Sequence, residues 1–458
     1  MANKSTSLRN AKNAKNDEFY TQLSDIEKEM AHYKDFFKGK IIYCNCDDAR
    51  ESNFFKFFSN NFESLGLKRL ISTGFKENGK GVKLVYEGDK NGNFMVDDAE
   101  VIVTELEGNG DFRSEECIEL LKECDVVVTN PPFSLFREYI AQLMEYEKKF
   151  IVIGNLNAVT YKEIFPLIKE NKVWMGATCF NGGATHFIAP SELYDAEKMS
   201  NPKNAYFENG KFMWRVNGVR WFTNVPHNKR NTPLDLYKKY SADEYSKYDN
   251  YDAIEVSRVE NIPMDYEGVM GVPISFLDKY CPTQFEIIAL GNSRENFTPT
   301  KDYVNPIKVL KNGNTMNGNA INCVLAIARE TQPFNEIYYT SDNAKYLVAP
   351  YARILIRRKK AEPIVEVETT DNVSVNEVEQ NDVQPSNNVE VAKDNTTSNE
   401  VHTPTRRLHS DEDVYIDSIT IENGTEIANK HNTRRGIKNK TINLNNSTND
   451  IADKNLPP

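Results

Sequence analysis

Along roughly the first 175 residues, short runs of β-branched positions alternate with longer stretches in which apolar residues recur every third or fourth position. Strands are expected at Lys40–Tyr43, Lys68–Thr73, Val82–Tyr86, Glu100–Glu105, Asp125–Thr129 and Lys149–Ile153. The amphipathic stretches SNFFKFFSNNFESLG, SEECIELLKEC, SLFREYIAQLMEYEK and AVTYKEIFPLIKEN are expected as helices. This alternation predicts an α/β domain: a mixed, mainly parallel sheet with helices on both faces.

Beyond residue 175 strands shorten, turns become denser and aromatic residues cluster, which predicts an α+β region. Its clearest local signal is Lys211–Asn224, KFMWRVNGVRWFTN, where Asn217-Gly218 predicts a two-residue hairpin turn. That register sets Trp214 opposite Trp221 and Arg215 opposite Arg220. Facing arginines repel, so an anion nearby would relieve them. Phe212, Trp214, Val216, Val219 and Trp221 form the expected core face. The last strong pattern is YARILIRRKK, ending at Lys360. From Ala361 onward Asn, Thr, Ser, Asp and Glu dominate, and such a segment cannot bury enough apolar surface to offset its ordering entropy. A disordered acidic and polar tail is expected over 361–458.

That tail carries about −9 of the formal charge of −11, leaving the rest of the chain near neutrality. The acidic average therefore does not exclude nucleic-acid binding, which needs only a local basic face. Seven cysteines without a CxxC pair suggest neither a disulfide framework nor a structural zinc site. The basic first twelve residues precede no apolar stretch, and no run is long enough to span a membrane. A cytoplasmic protein is expected.

The chemistry centres on Asn130-Pro131-Pro132-Phe133, directly after the apolar run Asp125–Thr129. In open α/β sheets ligands bind at the carboxyl ends of strands. Two prolines stop the ladder there and fix a rigid turn. The Asn130 carboxamide oxygen and the Pro131 carbonyl form a pair of acceptors suited to the two N–H groups of an aromatic amine. Phe133 offers a flat face to an extruded base.

The motif resembles the catalytic loop of amino-methyltransferases. The ordered series NDEFYT, YCNCDDARESNFFKFF, VVVTNPPFSLFREYI, IGNLNAVTYKEIF, FNGGATHF, GVPISFLDKYCPTQFEIIALG and YARILIRRK, over residues 13–360, resembles the EcoRI-type adenine-specific DNA methyltransferases. The resemblance implies a Rossmann-like methyltransferase domain at 13–175 binding S-adenosyl-L-methionine, and a target-recognition domain at 176–360. It further implies a monomer acting on double-stranded DNA without an obligate protein partner, metal or covalent nucleophile. Phe19, Tyr20 and Thr21 would lie along the cofactor. Cys44, Asp47 and Asp48 stand where the wider superfamily has a glycine-rich loop; either aspartate could face the methionine amino group. Asp111 and Phe112 would grip the cofactor's adenine, and Asn130 lies at the cofactor as well as the target. The usual place for a ribose-binding acid reads Ser72-Thr73-Gly74, leaving that contact unassigned. Arg215, Arg220, Lys229 and Arg230 are the candidate DNA contacts.

Two other readings stay open. NPPF alone also suits methylation of RNA or of a protein glutamine. The absent glycine loop suits a DNA-binding protein with a degenerate cofactor site.

Overall fold

The computed structural model describes residues 21–359, apart from 47–48, 50, 77, 181–183, 189–204, 209–210 and 293–296, together with 418–422 and 425–429. The chain divides into two units, 1–367 and 368–458.

The first unit is built on an eight-stranded sheet. Its strands are β1 (Ile41–Asn45), β2 (Arg69–Gly74), β3 (Val82–Tyr86), β4 (Ile102–Glu105), β5 (Val126–Thr129), β6 (Lys149–Asn155), β7 (Trp174–Cys179) and, after three strands elsewhere, β11 (Val219–Thr223). Their order is β4-β3-β2-β1-β5-β6-β11-β7. The central four pair in parallel, whereas β3 and β11 run against them. The sheet is thus mixed, with six of its eight strands pointing one way. The six strand expectations are met within two residues at either end.

Among the described residues six helices flank it: α1 (Leu23–Met30), α2 (Asn53–Asn60), α3 (Phe62–Leu65), α4 (Glu115–Glu123), α5 (Phe136–Glu145) and α6 (Phe165–Lys169). Ser52 and Ser114 cap α2 and α4 through their hydroxyls. Successive strand residues point to opposite faces, and two cores result. Tyr43, Val127, Phe150 and Val152 pack with α4, α5 and α6. Ile42, Val126, Val128, Ile151 and Ile153 pack with α1, α2 and α3.

A buried carboxylate fixes α1. Glu29 accepts the N–H groups of Ala177 and Thr178, each at 2.7 Å, and the hydroxyls of Thr178 and Tyr33. A Cβ on Gly176 would lie 2.4 Å from both Glu29 Oε1 and the Trp221 Cβ, so only glycine fits there.

The expected hairpin at 211–224 does not form. Gly218 makes the bend, with φ of +76°, but the flanking strands enter different sheets. The strand β10 (Lys211–Asn217) lies between β8 (Ala184–Ile188) and β9 (Ala205–Glu208). Its successor β11 is inserted between β6 and β7. An interior strand is covered on both faces, so all five residues of β11 are buried. Arg220 therefore does not face Arg215 across a ladder.

Nor does the large sheet end near residue 175, since β7 and β11 both belong to it. A four-stranded sheet follows, with β12 (Ile254–Glu255), β13 (Met270–Pro273), β14 (Phe285–Leu290) and β20 (Arg353–Arg358) in the order β12-β13-β20-β14. Its residues Ile254, Met270, Phe285 and Ile356 share one core with Phe136, Phe150 and Phe165. A five-stranded sheet, β16-β15-β18-β19-β17, comprises β15 (Ile307–Val309), β16 (Thr315–Asn317), β17 (Ile327–Ala328), β18 (Tyr338–Ser341) and β19 (Ala344–Val348).

The β3–β4 connection closes on its own amides. Asp89 accepts the N–H groups of Gly92 and Phe94, and Glu100 those of Lys90 and Asn91. Asp97 accepts the side-chain amides of Asn91 and Asn93. Asp89, Asn91, Asn93, Asp97 and Glu100 share the spacing of a calcium loop. Among the described residues, however, no three acidic, histidine or cysteine side chains converge as a metal centre.

In the second unit the described residues are one antiparallel pair, Ser418–Glu422 with Thr425–Asn429. The remainder of the expected disordered tail lies outside the described residues.

Candidate active site

The parallel order turns at β1, which has β2 on one side and β5 on the other. Such a switch point opens a crevice at the carboxyl ends of the two strands. Asn130-Pro131-Pro132-Phe133 leaves the end of β5 there. Thr129, Asn130 and Pro131 are buried, and Phe133 is half-buried. Pro132 accepts from the Leu135 N–H at 3.0 Å, closing a turn that leads into α5. The prolines thus end the strand as expected and set Asn130 at the crevice.

Across the crevice, β1 ends at Asn45. The Thr129 hydroxyl donates to the Asn45 carbonyl at 2.5 Å, and the Tyr139 hydroxyl donates to its carboxamide oxygen. These bonds tie the strand before the NPPF turn to the strand before the expected cofactor loop. Neither Asn45 nor Tyr139 stands out in the sequence, because a lone Asn and a lone Tyr carry no spacing signal. Cys44 is buried in the core facing α2. Cys46 has φ of +108°, a left-handed conformation that favours glycine. The chain therefore makes, without glycine, the backbone turn that glycine makes elsewhere, at a cost of about 1–3 kcal/mol. Asp47 and Asp48 lie outside the described residues, as do Phe19 and Tyr20.

Thr21 is described and buried. Its carbonyl accepts from Asn53 Nδ2 at 2.7 Å, tying it to the start of α2 just beyond the expected cofactor loop. Its hydroxyl is fully buried and has no hydrogen-bond partner among the described residues. The Ser72 hydroxyl, within β2 between Cys44 and Leu84, is likewise buried without a partner among the described residues. The orphaned Thr21 hydroxyl, beside the start of α2, fits a polar ligand that would complete its hydrogen bonding.

Gly110 brings the third segment in. A Cβ there would lie 2.4 Å from the Gly74 carbonyl oxygen, and its φ is +81°. The close approach sets Asp111 beside the end of β2. Arg113 takes both Asp111 oxygens, Nε at 2.9 Å and an amino nitrogen at 2.7 Å, and holds that carboxyl below its usual range. Phe112 packs edge-on against Tyr139, ring centroids 5.0 Å apart, so most of its ring serves the core.

The expected DNA contacts separate. Arg215 and Lys229 are exposed. Arg230 stacks on Trp174 at 3.8 Å and donates to Asn171. Arg220 is buried, with Nε at 2.8 and 3.0 Å from the two Asp278 oxygens, so its charge is spent inside the protein. Trp221 is a core residue, and the Trp214 side chain lies outside the described residues. His227 is buried against the Met175 carbonyl, with burial pulling its pKa below 6.5.

Comparison with known proteins agrees with this geometry. The family model described as "Adenine-specific methyltransferase EcoRI" matches residues 7–359. The Type II methyltransferase M.EcoRI of Escherichia coli is 49% identical over 294 residues, covering 61% of this chain and 88% of that protein. The Type II methyltransferase M.MpnI of Mycoplasma pneumoniae is 42% identical over 285 residues, 61% of this chain and 83% of the relative. No solved structure matches the chain. With the NPPF turn at the β1–β5 switch point and the family model matched over residues 7–359, this chain belongs to the EcoRI family of adenine-specific methyltransferases.

Proposed function

We propose that the chain methylates N6 of adenine at a specific site in double-stranded DNA, as the modification enzyme of a restriction–modification system or as a solitary methylase. The observation that carries this reading is the buried Asn130-Pro131 pair at the switch point, in a chain of an adenine-specific family.

The amino nitrogen of adenine is a poor nucleophile because its lone pair is delocalised into the ring. Asn130 Oδ1 and the Pro131 carbonyl accept its two N–H groups, favouring the pyramidal nitrogen whose lone pair is free. A base inside a duplex cannot reach them, so the adenine leaves the stack, at a few kcal/mol. Phe133 then lies against its face. When bound, S-adenosyl-L-methionine supplies an electrophilic methyl group. Thr21, Cys44, Asp111 and Phe112 hold it in the crevice together with Phe19, Tyr20 and one of Asp47 and Asp48. Arg215, Lys229 and Arg230 touch DNA phosphates; Arg220, committed to Asp278, does not. The region from β12 to β20 reads the sequence of the site.

Incubation with methyl-labelled cofactor and separate DNA, RNA and protein substrates tests this. Label is expected in N6-methyladenine of DNA. Label confined to RNA or protein would overturn the reading.

A further inference from the structure

The helix that follows the NPPF turn reaches two of the segments assigned to the cofactor, the end of β1 and Asp111-Phe112. Three α5 residues on one face do so: Glu138, Tyr139 and Gln142. Glu138 pairs with Arg113 at 3.1 Å, and Arg113 holds both Asp111 oxygens. Gln142 Nε2 donates to the Phe112 carbonyl at 3.2 Å. Tyr139 touches two segments at once, its ring edge against Phe112 and its hydroxyl on the Asn45 carboxamide. Packing alone would be served equally well by Phe at this position. The hydroxyl adds buried hydrogen bonding at the Asn45 carboxamide, beside the Cys46 thiol and its left-handed turn.

We propose that Tyr139 is a positioning residue: by fixing Asn45 it holds the strained cofactor turn in register with the NPPF turn. This rests on the assignment of Cys44–Asp48 and Asp111-Phe112 to the cofactor. Without the hydroxyl, the Asn45 side chain loses its bond from Tyr139 while its carbonyl keeps that of Thr129, and Cys46 can relax toward an ordinary backbone conformation. The cofactor then meets a displaced loop, while Asn130 and Pro131, fixed by β5 and the two prolines, stay where they are.

The test is Tyr139→Phe in the full chain, with S-adenosyl-L-methionine binding followed by calorimetry and turnover measured on unmethylated plasmid DNA. Both Kd and KM for the cofactor should rise about tenfold, the typical effect of stranding one buried acceptor. The saturated kcat should stay within about threefold of the unaltered chain. A generally destabilised fold would instead lower the active fraction, and so kcat, at unchanged KM. Asn45→Leu, which keeps Tyr139 and its packing, should show the same split. The double variant should bind no more weakly than either single one, because the two residues act through one bond. Unchanged cofactor affinity in Tyr139→Phe, or additive losses in the double variant, would overturn the proposal. Failure of the unaltered chain to bind the cofactor would sink the underlying site assignment instead.

Discussion

Strands β5 and β16 mark opposite extremes of one folded unit. Every residue of β5 is buried, and every residue of β16 is exposed. Around β5 the backbone is paired on both sides and the side chains are packed on both faces, so the turn that leaves it has little freedom. Around β16 the small sheet leaves Ile307, Met316 and Phe334 open to solvent. Bond-making needs atoms held within fractions of an ångström, and the buried region provides that. Reading a DNA sequence needs exposed, adaptable side chains, and β16 presents such side chains.

The largest effect expected from breaking this contrast is at its rigid end. Asn130→Ala should lower kcat about a thousandfold, as loss of a preorganised polar group does, with cofactor and DNA affinity retained. Methylation at the normal rate would remove Asn130 from the chemistry. Next come the two arginines that a hairpin would have paired. Arg220→Ala strands the buried Asp278 carboxylate and should cost about 3–5 kcal/mol in urea unfolding. Arg215→Ala should leave stability within about 0.5 kcal/mol and instead flatten the salt dependence of DNA binding by roughly one phosphate contact. Equal stability losses in both variants would erase the distinction drawn between them. The smallest effect concerns His227. Burial lowers its pKa below 6.5, so the unfolded chain takes up the proton more readily. Its contribution to stability is complete above pH 6.5 and is lost as the pH falls through the lowered value. His227→Gln should flatten that part of a Tm-against-pH curve; an unaltered slope would assign the dependence to another group.

The same contrast decides what the sequence makes legible. The strands β1, β5 and β6 announce themselves because covered strands need unbroken runs of apolar residues, and NPPF because two prolines have one local consequence. The hairpin misleads because Asn217-Gly218 encodes a bend and nothing about partners. Strand β11 pairs with β6, far away in sequence, and no periodicity records that. Glu29 is invisible for a related reason: it resembles any helical glutamate until Ala177 and Thr178 arrive from another strand. Arg220 looks basic and available, but its fate depends on Asp278. Legibility follows local determination, and β10, β11, β13 and β20 pair with strands distant in sequence.

The placement of β11 has a consequence for how the protein is made. Strand β6 is complete at Asn155, but its neighbour begins only at Val219. A chain emerging from the ribosome must therefore carry an open, apolar sheet edge at Ile151 and Ile153 while residues 156–218 are synthesised. Unpaired edges of this kind are templates for aggregation. A fragment cut at residue 175 would keep that edge for good. The two halves are thus bound to a common folding schedule, and neither can be exchanged as a cassette without resealing the sheet.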